Sequence, residues 1–182
     1  MLNWLTRRSV HTRTAGVIYG SIVASARQPA FYTDWGVPDT REGRFEMIAL
    51  HVALVMQRLA AIQPDGPQLA RQVAETFMTD MDDNMREIGI GDLAVPKKIK
   101  RAAAALYDRH RDYAAAMQPD AAETALVPVI AAAFDGTAFA TENAAVDAAA
   151  LANYMRRLKG GLAATTDDDC LAAHLPLPWP PR

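Results

Sequence analysis

The sequence predicts an all-α protein, an irregular single-domain bundle of about six helices around a central hydrophobic helix over residues 41–62, with a Pro-rich extended C-terminal tail. Three observations predict it. Apolar residues recur at spacings of three and four, no segment alternates with the period of two that a half-buried strand requires, and Pro and Gly clusters cut the chain into helix-length blocks. With 182 residues, 51% of them hydrophobic and 22% charged, the chain has the composition of a folded domain. A chain of this size buries about 70% of the surface its unfolded form exposes.

The first helix is expected from about Thr14 to Gln28, ending at Pro29, which cannot continue it. The loop that follows, Phe31 to Pro38, places Phe31, Tyr32 and Trp35 within five positions. Aromatic side chains in a loop pin it onto a core; the alternative is a recognition surface. Asp39 or Thr40 then caps the second helix ahead of Arg41. Phe45, Ile48, Val52, Val55, Leu59 and Ile62 form its main stripe, and Met47, Leu50 and Leu54 a second apolar face. A helix apolar on two sides belongs in the middle of a bundle. His51 and Arg58, seven residues apart, share the flank of that stripe. His51 reads as a satisfied, partly buried side chain, with a ligand or catalytic base as the alternative, and no second His stands at a metal-ligand spacing from it.

Pro64, Gly66 and Pro67 make the next break, and a third helix follows to about Ile88. Leu69, Val73, Phe77, Met81 and Ile88 form its core stripe, widened by Met78 and Met85. Asp80, Asp83 and Glu87 share one flank, while Glu75, Asp82 and Arg86 share the other, where Asp82 and Arg86 stand at i, i+4. The acidic flank is either a solvated face or the seat of a neutralising partner.

Gly89 and Gly91 end that helix, and Pro96 opens a fourth whose first turn reads Lys97-Lys98-Ile99-Lys100-Arg101. Cations at this end oppose the helix macrodipole at about 0.3 to 1 kcal/mol each. Folding alone does not select such a turn. Two readings stay open: ordinary solubilising surface, or a docking patch for phosphate, anionic lipid headgroups or an acidic protein segment. The helix is expected to continue toward Met117.

After Pro119 come two Ala-rich helices, about Ala121 to Phe134 and about Glu142 to Lys159, which should form an outer layer. Pro128 should kink or split the first, and Gly160-Gly161 should end the second. The closing run from Leu175 to Pro181 favours extended polyproline geometry, lying on the domain through Trp179 or serving as a binding peptide. The chain thus divides into a basic segment (1–14), a helical domain (15–160) and a tail (161–182).

Charge is unevenly spread. Residues 1–33 carry Arg7, Arg8, Arg13 and Arg27 with no Asp or Glu, whereas the remaining 15 basic residues face all 21 acids, a net −6. The basic end reads as the first helix touching an anionic surface, with Trp4 and Leu5 as an interfacial foot, or as a frayed end; a mitochondrial presequence is the alternative. The overall charge of −2 argues against a bulk nucleic-acid binder, and no DNA partner is expected. The longest apolar stretch, Ala15 to Ala26, is interrupted by Gly16, Gly20, Ser21 and Ser25, so no membrane span is expected. A single cysteine, Cys170, gives no internal disulfide and points to a reducing compartment.

Chemistry-bearing motifs are missing: no P-loop, no dinucleotide fingerprint, no H-E-x-x-H and no G-x-S-x-G. Asp80-x-Asp82-Asp83 approaches the D-D-x-x-D spacing of magnesium-holding helices, but Arg86 occupies the last position, where a guanidinium would repel the ion. Asp167, Asp168 and Asp169 disfavour a thiolate at Cys170. No enzyme, metal or cofactor is expected.

Two blocks carry a resemblance. Phe31 to Leu59 (FYTDWGVPDTREGRFEMIALHVALVMQRL) and Phe77 to Arg109 (FMTDMDDNMREIGIGDLAVPKKIKRAAAALYDR) are similar to the ubiquinol-cytochrome c chaperone family, and the likeness covers most of residues 15–155. Its marks are the Phe-Tyr loop, the Pro-x-Thr start before an aromatic-led helix, Leu50-His51 and Arg58, and Met-Asp-x-x-x-Arg leading to a basic helix. The resemblance implies an assembly chaperone of respiratory complex III that binds newly made cytochrome b. It also implies a partner protein and contact at the ribosomal exit in mitochondria, and the same core in bacterial relatives, which this short chain resembles.

On that resemblance Phe31, Tyr32, Phe45, His51, Arg58, Asp82, Arg86, Lys97, Lys98, Lys100 and Arg101 are candidate partner-binding positions. Trp35, Phe77, Met78, Met81 and Met85 join them, because methionine side chains adapt to varied apolar clients. The expected partners are cytochrome b or another newly made membrane subunit, the ribosome, and an anionic membrane surface. The expected place is the cytoplasm or the face of the inner membrane, or the mitochondrial matrix in a eukaryote. A ribosome- or RNA-associated adapter using the basic N-terminus and the Lys97–Arg101 turn is the alternative.

Overall fold

A computed structural model describes residues 2–135 and 146–177, the side chains of residues 2–9 excepted. Its described residues form eight α-helices and no strand: α1 (Leu2–Ala26), α2 (Pro29–Thr33), α3 (Arg41–Ala60), α4 (Gly66–Glu87), α5 (Val95–Ala116), α6 (Leu126–Asp135), α7 (Ala148–Ala164) and α8 (Asp167–Leu171). The all-α bundle predicted from the apolar spacing is the architecture found.

The central position of α3 follows from its two apolar faces. Every residue from Glu46 to Met56 is buried, and the helix packs against α1, α4, α5, α6 and α7. Its start is fixed twice. The Thr40 hydroxyl accepts from the Gly43 N–H at 3.1 Å, and a side chain at position 43 would collide with the Pro38 carbonyl. The loop carrying the aromatics is thereby pressed onto the first turn of α3. Gly66 plays the same part at the α3–α4 turn, against the Leu59 carbonyl. Around this axis α1 and α4 pack on each other and on α3, while α6 and α7 form the outer layer on the side of α5.

Several expected boundaries move. The first helix begins at Leu2 and not near Thr14, because nothing ahead of Thr14 breaks a helix. It therefore runs through the boundary drawn at residue 14. The Phe31–Pro38 loop is partly helical, with Pro29 at the start of α2, where its missing N–H leaves no bond unmade. Pro128 neither kinks nor splits a helix: α6 begins at Leu126, which puts the proline in the first turn. The last long helix begins at Ala148, where Asp147 accepts from the Ala150 N–H at 2.9 Å. It passes through Gly160 and Gly161 and ends at Ala164.

Two mid-helix glycines weaken a helix by about 1 kcal/mol each relative to alanine. Here the buried Leu158 and Leu162 hold the last turns to the core, and the chain beyond α8 lies over Gly161 through Pro176. The segment 161–182 is accordingly less of a tail than expected. It contains the end of α7, all of α8 with the Thr166 hydroxyl capping Asp169 at 3.1 Å, and Leu175 and Leu177 packed on the core. Pro178 to Pro181, with Trp179, lie outside the described residues, as do the side chains of Trp4 and Leu5 and the start expected at Glu142. No helix of the described residues is long and apolar enough to cross a membrane.

Candidate functional site

Four of the candidate residues are interior. Phe31, His51 and Phe77 are completely buried and Trp35 nearly so. Phe31 lies edge-on to Trp35 at 5.2 Å and to Tyr154 at 5.0 Å between ring centres, a geometry that aromatic quadrupoles favour. His51 completes the cluster, with Nδ1 2.7 Å from the Met47 carbonyl and Nε2 2.7 Å from the Tyr154 hydroxyl. Burial lowers its pKa to about 4, so the ring is neutral. The aromatic segment thus pins the α2 loop against α3 and α7, and Phe31, Trp35, His51 and Phe77 present no surface to a partner. Phe45, half-buried, stacks on Phe77 at 5.5 Å. Tyr32, also half-buried, donates to the Ala26 carbonyl at 2.9 Å and closes the end of α1.

Arg58 works as a clamp. Its guanidinium donates to the Leu162 carbonyl at 2.9 Å, the Thr165 carbonyl at 2.8 Å and the Asp167 carboxylate at 2.6 Å. Leu162 lies in the last turn of α7 and Thr165 caps its C-terminus, the end of a helix where carbonyls run out of intrahelical donors. A residue in the last turn of α3 thus holds the α7–α8 corner. Burial pushes the nearby Cys170 thiol above its ordinary value.

Further round α3, the buried Glu46 carboxylate accepts two bonds from Arg109 of α5, at 2.8 and 3.0 Å. Burial raises the Glu46 pKa and the guanidinium opposes that rise. This pair joins α3 to α5, and Arg109 also reaches the Ala133 carbonyl of α6.

On α4 the flanks sort as expected. Arg86 pairs with Asp82 at 2.6 Å and with Asp92 at 2.7 Å, and Asp80 accepts from the Tyr19 hydroxyl at 2.7 Å. No group of three or more metal-ligating side chains occurs among the described residues. Met78 and Met81 lie partly buried against the core, and Met85 is half-buried. These methionines pack where the stripe placed them, against the core.

Lys97, Lys98, Lys100 and Arg101 are all exposed. Beside them lies a feature the sequence reading passed over: Leu93, in the α4–α5 connection, is 99% exposed. Its signal was present, a large apolar residue in the short connection between Gly91 and Pro96. Among the described residues, Ile88, Tyr107, Val10 and Val17 are the other large apolar side chains at the surface.

A shallow groove of about 360 Å³ opens between the end of α5, the connection to α6 and the outer face of α7. Ala121, Ala122, Gly160 and Ala163 leave the space, Met117 forms part of its floor, and the lining is mostly apolar. Its cations are engaged with backbone: Lys159 donates to the Met117 carbonyl at 2.6 Å and Arg156 to the Glu123 carbonyl.

The fold and these surfaces define an all-helical domain whose exposed features are a shallow apolar groove and a basic, apolar-tipped turn, suited to contact with other macromolecules. The family model for ubiquinol-cytochrome C chaperone matches residues 33–177, and the chain belongs to that family. Membership in a chaperone family implies a non-enzymatic role. The crystal structure of the Cbp3 homolog from Brucella abortus is similar, with a TM-score of 0.80 and 31% identity over 97% of this chain and 96% of that one. No curated protein sequence matches.

Proposed function

We propose that this chain is an assembly chaperone of the cytochrome bc complex that holds newly made cytochrome b, or another membrane subunit, until it is incorporated. The observation that carries the reading is the family match over residues 33–177. Two features support it. The groove between α5 and α7 is open, apolar and lined by small side chains, the shape that accepts one or two apolar side chains of a client segment. The interior aromatics and the Arg58 clamp hold α7 rigidly, so the groove is formed before a client arrives.

The setting that fits is the cytoplasm, at the face of the inner membrane where such a subunit is inserted. Deleting the gene should lower spectroscopic cytochrome b and assembled complex while leaving other respiratory complexes near their normal level. A photo-crosslinking residue at Ala122 or Ala163, both exposed at the groove, should capture cytochrome b in growing cells. Normal cytochrome b after deletion rejects the proposal.

A further inference from the structure

The turn joining α4 to α5 is built to hold an apolar side chain in solvent. On its α4 side, the Arg86–Asp92 ion pair fixes the residue before Leu93, and the Ile90 N–H donates to the Met85 carbonyl at 3.1 Å as Gly89 turns the chain with φ +78. On its α5 side, the Ala94 N–H donates to the Gly91 carbonyl at 2.8 Å, and Val95 is completely buried. Leu93 stands between these anchors, 99% exposed. A leucine held in this way has not merely frayed outward; both neighbours are tied down and the side chain is left without apolar contact.

The cations lie directly after it. At 100° per residue, Lys97, Lys100 and Arg101 fall within an arc of about 100°, and Lys98 lies about 60° beyond it. Val95 and Leu106, on the opposite side of α5, are buried. None of the four cationic side chains has an ion pair or hydrogen bond among the described residues, a condition they share with Arg27, Arg41 and Arg157 but which is clustered here on one turn. Charges that oppose the helix dipole and have no acidic neighbour to relieve them are arranged for an external anion surface.

We propose that Leu93 and the first turn of α5 form a docking foot for an anionic phospholipid bilayer, Leu93 entering the headgroup boundary while the four cations lie against the lipid phosphates. The protruding leucine favours a bilayer over RNA. Base stacking calls for aromatics, and Tyr107 is about 15 Å along α5 from Lys97. A convex tip also suits a fluid surface that needs no matching hollow. The proposal does not depend on the identity of the client.

The test sediments the full-length protein with vesicles of phosphatidylcholine containing phosphatidylglycerol, and with vesicles of phosphatidylcholine alone. Pelleting is expected with the anionic vesicles and should weaken as salt rises. Replacing Lys97, Lys98, Lys100 or Arg101 by Ala should weaken partition by about fivefold per cation. Leu93→Ser should weaken it about tenfold without changing the salt dependence. Leu93→Trp should gain fluorescence quenching by bromine-labelled acyl chains beyond that of the parent. These side chains are exposed, so Leu93→Ser should melt like the parent, while the cation variants should melt slightly higher because the dipole conflict is relieved. Equal pelleting with both vesicle types, or variants that pellet like the parent, overturns the proposal. So does a parent that ignores vesicles but binds an RNA oligonucleotide or an acidic peptide through the same four cations.

Discussion

Tyr154 and His51 share a 2.7 Å hydrogen bond across 103 residues of chain, and it ties the outer helix α7 to the central helix α3. Its direction follows from the partner of the other ring nitrogen. A carbonyl can only accept, so Nδ1 carries the proton donated to Met47; the neutral ring then has Nε2 as acceptor, and the Tyr154 hydroxyl donates to it. Burial pushes the tyrosine hydroxyl further above its ordinary pKa, which keeps it a donor.

Tyr154→Phe keeps the ring contacts with Phe31 and Trp35 but leaves Nε2 of His51 buried without a donor. A loss of about 1 to 3 kcal/mol in urea unfolding is expected. A change within about 0.3 kcal/mol of zero would show that the bond contributes nothing net.

The same ring predicts a pH dependence. Its folded pKa of about 4 lies below the ordinary 6.5, so the unfolded chain binds the proton more readily. The contribution is fully present above pH 6.5, declines as the pH falls toward 4 and is flat below that, for a total of roughly 3 kcal/mol. Burial also lowers the His110 pKa and adds a decline of the same sign, while the raised Glu46 pKa acts in the opposite sense. Comparing the parent with His51→Gln isolates the histidine: the variant's stability profile should be flatter between pH 6.5 and 4. Parallel profiles would remove the assignment.

Glu46 and Arg109 form a partly buried pair, with side-chain exposures of 8% and 21%. Arg109→Met should destabilise by about 3 to 5 kcal/mol, because it strands a buried carboxylate. That loss should shrink at acid pH, where Glu46 takes up a proton. Glu46→Leu combined with Arg109→Met should recover most of the stability; a double variant as unstable as the single one contradicts this account.

Arg58→Ala removes the donor shared by Leu162, Thr165 and Asp167. The consequence should be local, because those acceptors lie at the end of α7 and the start of α8. Amide hydrogen exchange should accelerate over residues 162–171 while the amides of α3 stay protected. Unchanged exchange at that corner would refute the clamp.

A cap at Asp39 or Thr40, the span of α4 and the Asp82–Arg86 pair were legible because each depends on residues within a turn or two of one another; the structure chose Thr40. The centrality of α3 was legible for a related reason: a helix apolar on two faces must be covered on both. The failures have a common cause. Gly160 and Gly161 look like a stop, yet the helix continues through them because Leu158 and Leu162 find a core on α3 and its neighbours. Pro128 looks like a kink, yet α6 begins late enough to make it a first-turn residue.

The sequence by itself determined the helical class and the identity of the central helix, since periodicity and capping express preferences within a few residues of chain, and its two motif blocks carried the family resemblance. Only the tertiary structure decided which candidate residues could meet a partner. Phe31, Trp35, His51 and Phe77 were withdrawn into the core, while Leu93 and the groove beside Gly160 were left at the surface. Burial depends on what other segments bring to a side chain, and the partner of His51 lies 103 residues away, beyond any local pattern.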